Sequence, residues 1–310
     1  MKAISDSAAF VAATAGHYRQ RLLETPLLRG WLIVGPIVAL VIRGPLGLAL
    51  SVGNLALIAI YAVLIRAFTL HPGEPPCIRR PWTELSLVLA LILLLLCVQL
   101  LDFGIWLLQP WQRWVSGFFA TIIGSVQASG VPGWLRQDAF LAISSTLKQT
   151  LPAILLLAAI GGTRNARALA RPYWRLTGAL IGLTTVFGLA SGVLLRLPLY
   201  QTLALYLVGM LINALPEELL FRGMLLPRLE RALANPLNAL VVSALLFNAL
   251  HVPIAVLQGA SPLEAIAGVF SLAYPSGLIW GYLYLCTRSI VPGVLWHAAN
   301  MNLGFVLLDL

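Results

Sequence analysis

The sequence predicts an all-α membrane protein: a polytopic bundle of eight or nine transmembrane helices, with one further amphipathic helix lying in the membrane interface. Two observations predict this class. Of the 310 residues, 60% are hydrophobic and only 10% are charged, whereas a soluble domain carries about 25% charged residues. The chain also contains several apolar runs of about 20 residues, which is the length that crosses a bilayer as a helix.

The apolar runs define the predicted spans in chain order. The first run is short and contains Gly35-Pro36, so it is either a kinked span or a re-entrant segment, and the count is therefore eight or nine. The segment 111–128 mixes aromatic, basic and polar residues, which favours an interfacial helix anchored by Trp111 and Trp114. The predicted spans are 27–42, 45–65, 84–108, 139–160, 176–195, 199–222, 237–257, 263–287 and 290–308.

The net charge of +9 comes from arginines that stand mainly between the apolar runs. Such residues set the orientation of a membrane protein, so the charge does not indicate a nucleic-acid partner. With nine spans most of them fall on one side, which predicts a cytoplasmic amino terminus in a bacterial cytoplasmic membrane. The arginines on this side are Arg19, Arg21, Arg29, Arg79, Arg80, Arg164, Arg167, Arg171, Arg175, Arg222, Arg228, Arg231 and Arg288.

The polar residues of the spans divide the chain into two parts. Residues 1–175 are membrane helices without an assignable motif, and most ionisable groups within spans lie in residues 176–310. Ionisable groups in lipid are costly and are usually functional. The three cysteines are scattered and form no CxxC pair, so neither a disulfide framework nor a cysteine zinc site is predicted.

The first polar group lies in the stretch LINALPEELLFRG, residues 211–223. Glu218 and Arg222 are four residues apart, so they share a helix face and can pair. Glu217 points about 100° away and cannot share that contact. Pro216 weakens the helix hydrogen bonding and allows water to enter. The alternative interpretation is that the charged cluster simply caps the cytoplasmic end of the helix.

The second polar group is FNALH, residues 247–251. His251 lies about two-thirds of the way along its span. Asn248, three residues earlier, shares its face and is placed to orient the imidazole. A single histidine in an apolar helix is more often a packing or hydrogen-bonding residue than a catalytic one.

The third polar group is WHAANMN, residues 296–302. His297 and Asn300 are three residues apart and share a face, whereas Asn302 is rotated away. Either residue, taken by itself, is also consistent with a hydrogen bond that bridges two helices.

Together the three groups predict a buried polar pocket, provided that their helices are neighbours. In one chemistry, Glu217 acts as a general base on a water held with His251, while His297 and Asn300 donate hydrogen bonds to an oxyanion. In the other, Glu217, His251 and His297 bind a zinc ion, although the local HExxH signature is absent. Both chemistries hydrolyse an amide bond.

The first two groups resemble motifs of the CPBP family, which contains the type II CAAX prenyl endopeptidases and bacteriocin-processing relatives. The family motif EExxxR is similar to Glu217, Glu218 and Arg222. The family motif FxxxH is similar to Phe247 to His251. The resemblance covers about residues 180–308.

The third family motif is a histidine followed four residues later by Asn or Asp, and here the sequence departs from it. The fourth residue after His297 is Met301, and Asn300 stands at three. Three and four residues flank the same helix face, so Asn300 is expected to take the role. The approach to this motif, residues 277–300, also looks like that of the family.

The resemblance implies a glutamic-type intramembrane endopeptidase. By that analogy Glu217 and His251 activate water, and His297 and Asn300 form the oxyanion hole. The supporting residues would be Glu218, Arg222, Phe247 and Asn248. No cofactor is expected on this route, zinc being the alternative. The expected substrate is a membrane-anchored or lipid-associated peptide or protein, such as a C-terminal tail or a sorting signal, met among membrane lipids.

Two non-proteolytic interpretations of the same residues remain. A non-catalytic scaffold or regulator would keep the fold, and its mark would be the loss of a motif residue; only the third motif is shifted. A transporter would use buried Glu and His to relay protons, and it would favour inverted repeats, which are not evident in the sequence.

Overall fold

The computed structural model describes residues 24–69, 75–76, 78–102, 121, 124–125, 142–143, 145–160, 170–190, 199–272 and 275–303. The regular structure within these ranges is helical and contains no strand, which confirms the all-α class. The predicted interfacial helix, 111–128, falls largely outside them. The helices are α1 Pro26–Phe68, α2 Pro81–Asp102, α3 Thr146–Ala159, α4 Trp174–Ala190, α5 Leu199–Leu233, α6 Pro236–Ala249, α7 Val252–Leu257, α8 Pro262–Phe270, α9 Ser276–Thr287 and α10 Val291–Leu303.

Three helical stretches among these residues are long and apolar enough to cross a membrane: Pro26–Phe68, Leu199–Leu233 and Pro236–Val256. Pro81–Cys97 and Thr146–Ala159 are shorter apolar helices. The protein is therefore an integral membrane protein made of helices. The total of eight or nine spans stays a prediction.

The chain forms two compact units, each built from two separate stretches. The first unit comprises Met1–Leu70 and Leu229–Tyr282, and the second comprises His71–Arg228 and Leu283–Leu310. The stretches of the two units alternate along the sequence. The predicted division at residue 175 is of another kind, because it separates the part of the chain without motifs from the part that contains them. That division stays a prediction.

In the first unit, α1 is broken at Gly44, which has φ 62° and ψ −153°. This left-handed conformation suits glycine, and Pro45 begins the second half with its fixed φ. Beyond the break, Gly47 lies so close to the carbonyl of Ala39 that a Cβ would collide with it. The chain therefore turns sharply, and the two predicted spans 27–42 and 45–65 meet at this turn.

The run 263–287, predicted as one span, consists of two helices in the structure. α8 ends at Phe270, and α9 begins directly after Pro275, whose ring nitrogen cannot donate a helical hydrogen bond. The predicted span 237–257 agrees with the candidate span Pro236–Val256, within which a turn at Leu250 and His251 separates α6 from α7. Continuous apolar composition concealed the break between α8 and α9, because hydropathy does not report where the helical hydrogen bonding stops.

Three side chains of the first unit bind the carbonyl end of α8. Trp31 Nε1 donates to the Phe270 carbonyl at 2.8 Å, and Asn54 donates to the Leu272 carbonyl at 2.9 Å. The Asn248 amide donates to the carbonyl of residue 269 at 3.3 Å. The last carbonyls of a helix have no intrahelical donor, so these contacts hold α8 against α1 and α6.

In the second unit, α10 packs against α4 and α5, and α2 and α3 pack against the middle of α5. Two hydrogen bonds fix α10: Trp296 Nε1 donates to Thr184 Oγ1 at 2.9 Å, and the Tyr206 hydroxyl donates to the Leu295 carbonyl at 3.0 Å. This packing brings the WHAAN segment next to the PEELLFR segment.

Candidate active site

The motif segment of α5 is not a regular α-helix. Two π-helical stretches, Met210–Ala214 and Glu218–Leu225, lie on either side of Pro216 and Glu217. π-Helical turns are rare and often occur at functional sites. All eight residues of the second stretch are buried, so its two charged side chains are enclosed by protein.

Glu218 and Arg222 form the pair that their spacing predicts. Arg222 Nη1 lies 3.2 Å from Glu218 Oε1, and both side chains are at most 2% exposed. Removing one partner of a buried ion pair leaves the other charge uncompensated. Pairing with Arg222 therefore neutralises the negative charge of Glu218 inside the protein.

The imidazole of His297 lies between the two glutamates. Its Nδ1 is 3.2 Å from Glu218 Oε1, and its Nε2 is 3.8 Å from Glu217 Oε2. A carboxylate only accepts hydrogen bonds, so Nδ1 carries the proton in the contact with Glu218. The side chain of Glu217 is 21% exposed and that of Glu218 is 1% exposed, so the two adjacent carboxylates have different access to water.

Gly293 completes the enclosure of Glu218, a role that no motif or spacing indicated. A Cβ at Gly293 would lie 2.8 Å from Glu218 Oε2 and 3.3 Å from the carboxyl carbon. Real Cβ atoms essentially never approach so closely, so a larger residue at this position would force the Glu218 carboxylate to shift.

A second buried ion pair involves Arg228, which stands six residues after Arg222 in α5. Arg228 Nη2 is 3.1 Å from Glu84 Oε2 of α2, and Arg228 Nη1 donates to the Met224 carbonyl at 2.9 Å. The sequence placed Arg222 and Arg228 in a connection between spans, but both are buried inside α5. Glu84, at the start of an apolar run, carried no motif signal.

His251, Phe247 and Asn248 belong to the first unit. His251 is exposed at the turn between α6 and α7, and its Nδ1 donates to the Phe247 carbonyl at 3.0 Å. The Phe247 ring lies 4.9 Å from the imidazole, centroid to centroid. Because the Asn248 amide donates to Val269, it is the Phe247 carbonyl that orients the imidazole, and Nε2 is left as the acceptor in the neutral ring.

Asn300 lies one turn beyond His297 on α10 and is half-buried. Helical geometry places the two side chains on one face. Among the predicted site residues of the second unit, the structure joins Arg222 to Glu218, Glu218 to His297, and His297 to Glu217.

The described residues contain no group of three His, Cys, Asp or Glu side chains arranged to hold a metal ion. One nitrogen of His297 is already engaged by Glu218. Zinc dependence is not tested by this observation, and the zinc alternative stays a prediction.

Part of the chain matches the model of a known protein family. Residues 198–303 match the family model of the type II CAAX prenyl endopeptidases, Rce1-like. This segment, about a third of the chain, is similar to that family. The predicted resemblance is confirmed, and the Rce1-like segment contains the first two motifs together with His297 and Asn300 of the shifted third motif. No curated protein and no solved structure matches the chain. The Rce1-like family is a protease family, so the match supports a peptidase embedded in the membrane.

Proposed function

We propose that the protein is an intramembrane endopeptidase that hydrolyses a peptide bond in a membrane-associated protein or peptide, with Glu217 activating the water. The observation that carries the proposal is the imidazole of His297 held between two motif glutamates. In this arrangement the carboxylate oxygen Oε2 of Glu217 and the imidazole Nε2 of His297 lie 3.8 Å apart, so both border the same small space.

The two glutamates are suited to different tasks. Glu218 Oε1 is engaged by both Arg222 and His297 and is buried, which suits it to hold His297 in place. Glu217 is the more exposed carboxylate, and 3.8 Å separate its Oε2 from His297 Nε2. A water that contacts both atoms would give its proton to Glu217 as its oxygen attacks the peptide carbonyl. Glu217 would then return the proton to the leaving nitrogen.

His297 can stabilise the oxyanion only through Nε2, because Nδ1 is bound to Glu218. Donation from Nε2 then requires the imidazolium form, whose positive charge would lie between the carboxylates of Glu217 and Glu218. The family resemblance assigns Asn300 as the second donor. Removing one such donor costs about 10²–10³-fold in kcat in well-studied hydrolases.

The resemblance assigns His251 to water activation with Glu217. The contact of its Nδ1 with the Phe247 carbonyl leaves Nε2 to accept a proton, and the exposure of the side chain gives water access to it. The proposed substrate is a membrane-anchored or lipid-associated peptide or protein, for example a C-terminal tail or a sorting signal, in a bacterial cytoplasmic membrane.

The test uses the purified full-length protein in lipid nanodiscs and a panel of quenched fluorescent peptides, each with and without a prenyl or acyl anchor. Glu217→Gln should cleave at least about 10²-fold more slowly than wild type, because it removes the base. Glu230→Gln removes a carboxylate from the same helix outside the site and should match wild type.

Three outcomes would contradict the proposal. Undiminished cleavage by Glu217→Gln would exclude Glu217 as the base. Loss of cleavage on adding chelator, with recovery on adding zinc, would replace the glutamate route by the metal route. A wild-type protein that cleaves no peptide of the panel would favour a non-catalytic scaffold or regulator of the same fold.

A further inference from the structure

The backbone immediately before Glu217 contains a carbonyl that lacks its α-helical donor. Pro216 has no N–H, so the carbonyl of Ile212, four residues earlier, cannot receive the usual bond. The π-helical stretch Met210–Ala214 begins the distortion, with the Leu215 N–H bonded five residues back to Met210. An unsatisfied backbone group is costly in a membrane interior, where no water is available to bind it.

Ser145 supplies a donor to this carbonyl from another helix. Its hydroxyl donates a hydrogen bond to the Ile212 carbonyl, and the side chain is buried. Ser145 directly precedes α3, whose first turn, Thr146–Thr150, is itself π-helical and contacts the segment Leu215–Glu217. The contact thus joins α3 to the residues that carry the carboxylate.

We propose that Ser145 is a positioning residue for Glu217. Its hydroxyl fixes the Ile212 carbonyl and therefore the course of the backbone at Pro216, which sets the carboxylate of Glu217 opposite His297 Nε2. Ser145 lies outside the Rce1-like segment 198–303, so this part of the site is supplied by the N-terminal half of the chain. The inference rests on the proposed function, in which Glu217 is the base.

The hydroxyl is the property that the position requires. Alanine would leave the Ile212 carbonyl without this donor, and the segment around Pro216 would shift toward other partners. Threonine keeps a hydroxyl on Cβ and should restore the bond. The neighbouring Thr146 offers a matched control, because its hydroxyl donates locally to the Ala142 carbonyl, four residues earlier, at 2.8 Å.

The experiment compares Ser145→Ala, Ser145→Thr and Thr146→Val with wild type in the full-length protein. The first readout is kcat and KM on the panel peptide that wild type cleaves fastest. The second is amide hydrogen exchange over residues 213–219, which does not depend on activity. We expect Ser145→Ala to lower kcat at least 10-fold with KM changed less than twofold, and to raise exchange in that segment. Ser145→Thr and Thr146→Val should remain within twofold of wild type in kcat.

The outcomes separate this inference from the function on which it rests. Equal kcat for Ser145→Ala and Thr146→Val overturns the positioning role, even if exchange rises, since Ser145 would then be only structural. Failure of Ser145→Thr to recover kcat also overturns it. If Glu217→Gln cleaves as fast as wild type, the proposed function itself fails, and the role of Ser145 in catalysis fails with it whatever the exchange shows.

Discussion

Glu217 and Glu218 show how one residue of helical rotation separates two roles. The step of about 100° directs Glu218 into the protein, where Arg222 and His297 bind it, and leaves Glu217 partly exposed. The spacing predicted the Glu218–Arg222 pair. It did not predict that one imidazole contacts both carboxylates, because that contact depends on the packing of α10 beside α5.

At this scale Gly293→Ala is expected to lower activity. The added Cβ would meet Glu218 Oε2 at 2.8 Å, so the carboxylate must move and His297 with it. Displacement of a reacting group by about 1 Å can cost about 10²-fold in rate. The measurement is kcat on the peptide that wild type cleaves, together with the thermal unfolding midpoint in detergent.

Gly223→Ala is the matched control for this substitution. A Cβ at Gly223 would have ordinary contacts, the nearest being a methyl carbon of Leu219 at 3.4 Å and one of Ile290 at 3.6 Å. It should therefore retain activity. If both alanine variants lose kcat equally, or if Gly293→Ala is as active as wild type, close contact with Glu218 is not what requires glycine at 293.

At the scale of elements, α5 is held by contacts from α2, α3 and α10 along its π-helical segment. The Glu84–Arg228 pair is the charged contact with α2, and neither charge belongs to a motif. We expect Arg228→Gln to reduce the free energy of unfolding by about 3–5 kcal/mol, because it leaves Glu84 buried without its partner. Urea or thermal unfolding in detergent measures this loss.

The control for Arg228→Gln is Arg231→Gln in the same helix. Arg231 is exposed, and a surface substitution of this kind usually changes stability by no more than about 0.5 kcal/mol. Equal effects of the two variants would show that loss of positive charge, rather than loss of the pair with Glu84, is responsible.

The start of α8 should respond to pH. Ser261 and Glu264 form a capping box: the Ser261 N–H donates to Glu264 Oε2 at 2.9 Å, and the Glu264 N–H donates to Ser261 Oγ at 3.2 Å. The hydrogen bonds from Ser261 lower the pKa of the Glu264 carboxyl, which lies outside the three candidate spans. Since the folded-state pKa is the lower one, the stabilisation is complete above the unfolded-state pKa and is lost as pH falls through the folded-state pKa.

Hydrogen-exchange protection factors for the amides of α8 are therefore expected to fall as the pH is lowered through the folded-state pKa of Glu264, which lies below the ordinary glutamate value. Glu264→Gln, which keeps an acceptor but has no titrating proton, should remove that dependence. A wild-type profile that is flat with pH, or one that Glu264→Gln leaves unchanged, would show that the cap does not limit opening of α8.

At the scale of the whole molecule, the arginine distribution predicts that the connection containing Arg171 is cytoplasmic. A fluorescent-protein fusion ending after Arg171 should therefore fluoresce, and an alkaline phosphatase fusion at the same point should be inactive in a bacterial host. Arg196 follows the next predicted span, 176–195, and is therefore expected on the opposite side, so a fusion ending there supplies the control with the reverse pattern. The opposite result at both positions would invert the predicted orientation.

Composition and spacing predicted the helical class, the break between the two halves of α1 and the Glu218–Arg222 pair. Gly44 could be expected at a break because a left-handed backbone favours glycine. The division between α8 and α9 was missed, because the apolar run continues across it. Glu84, Ser145 and Gly293 were missed as well, because each acts on a residue that is distant in sequence.

What the sequence by itself determined is the set of groups that can do chemistry: two adjacent glutamates, an arginine four residues on, and histidines on later helices. Local rules were enough for this, since helical rotation and the cost of charge in lipid act within a few residues. Only the tertiary structure decided which glutamate is buried, which imidazole nitrogen faces which carboxylate, and which backbone carbonyl Ser145 binds. Those outcomes depend on side-chain packing between helices that are far apart in the chain, and the spacing of residues within one helix does not encode such contacts.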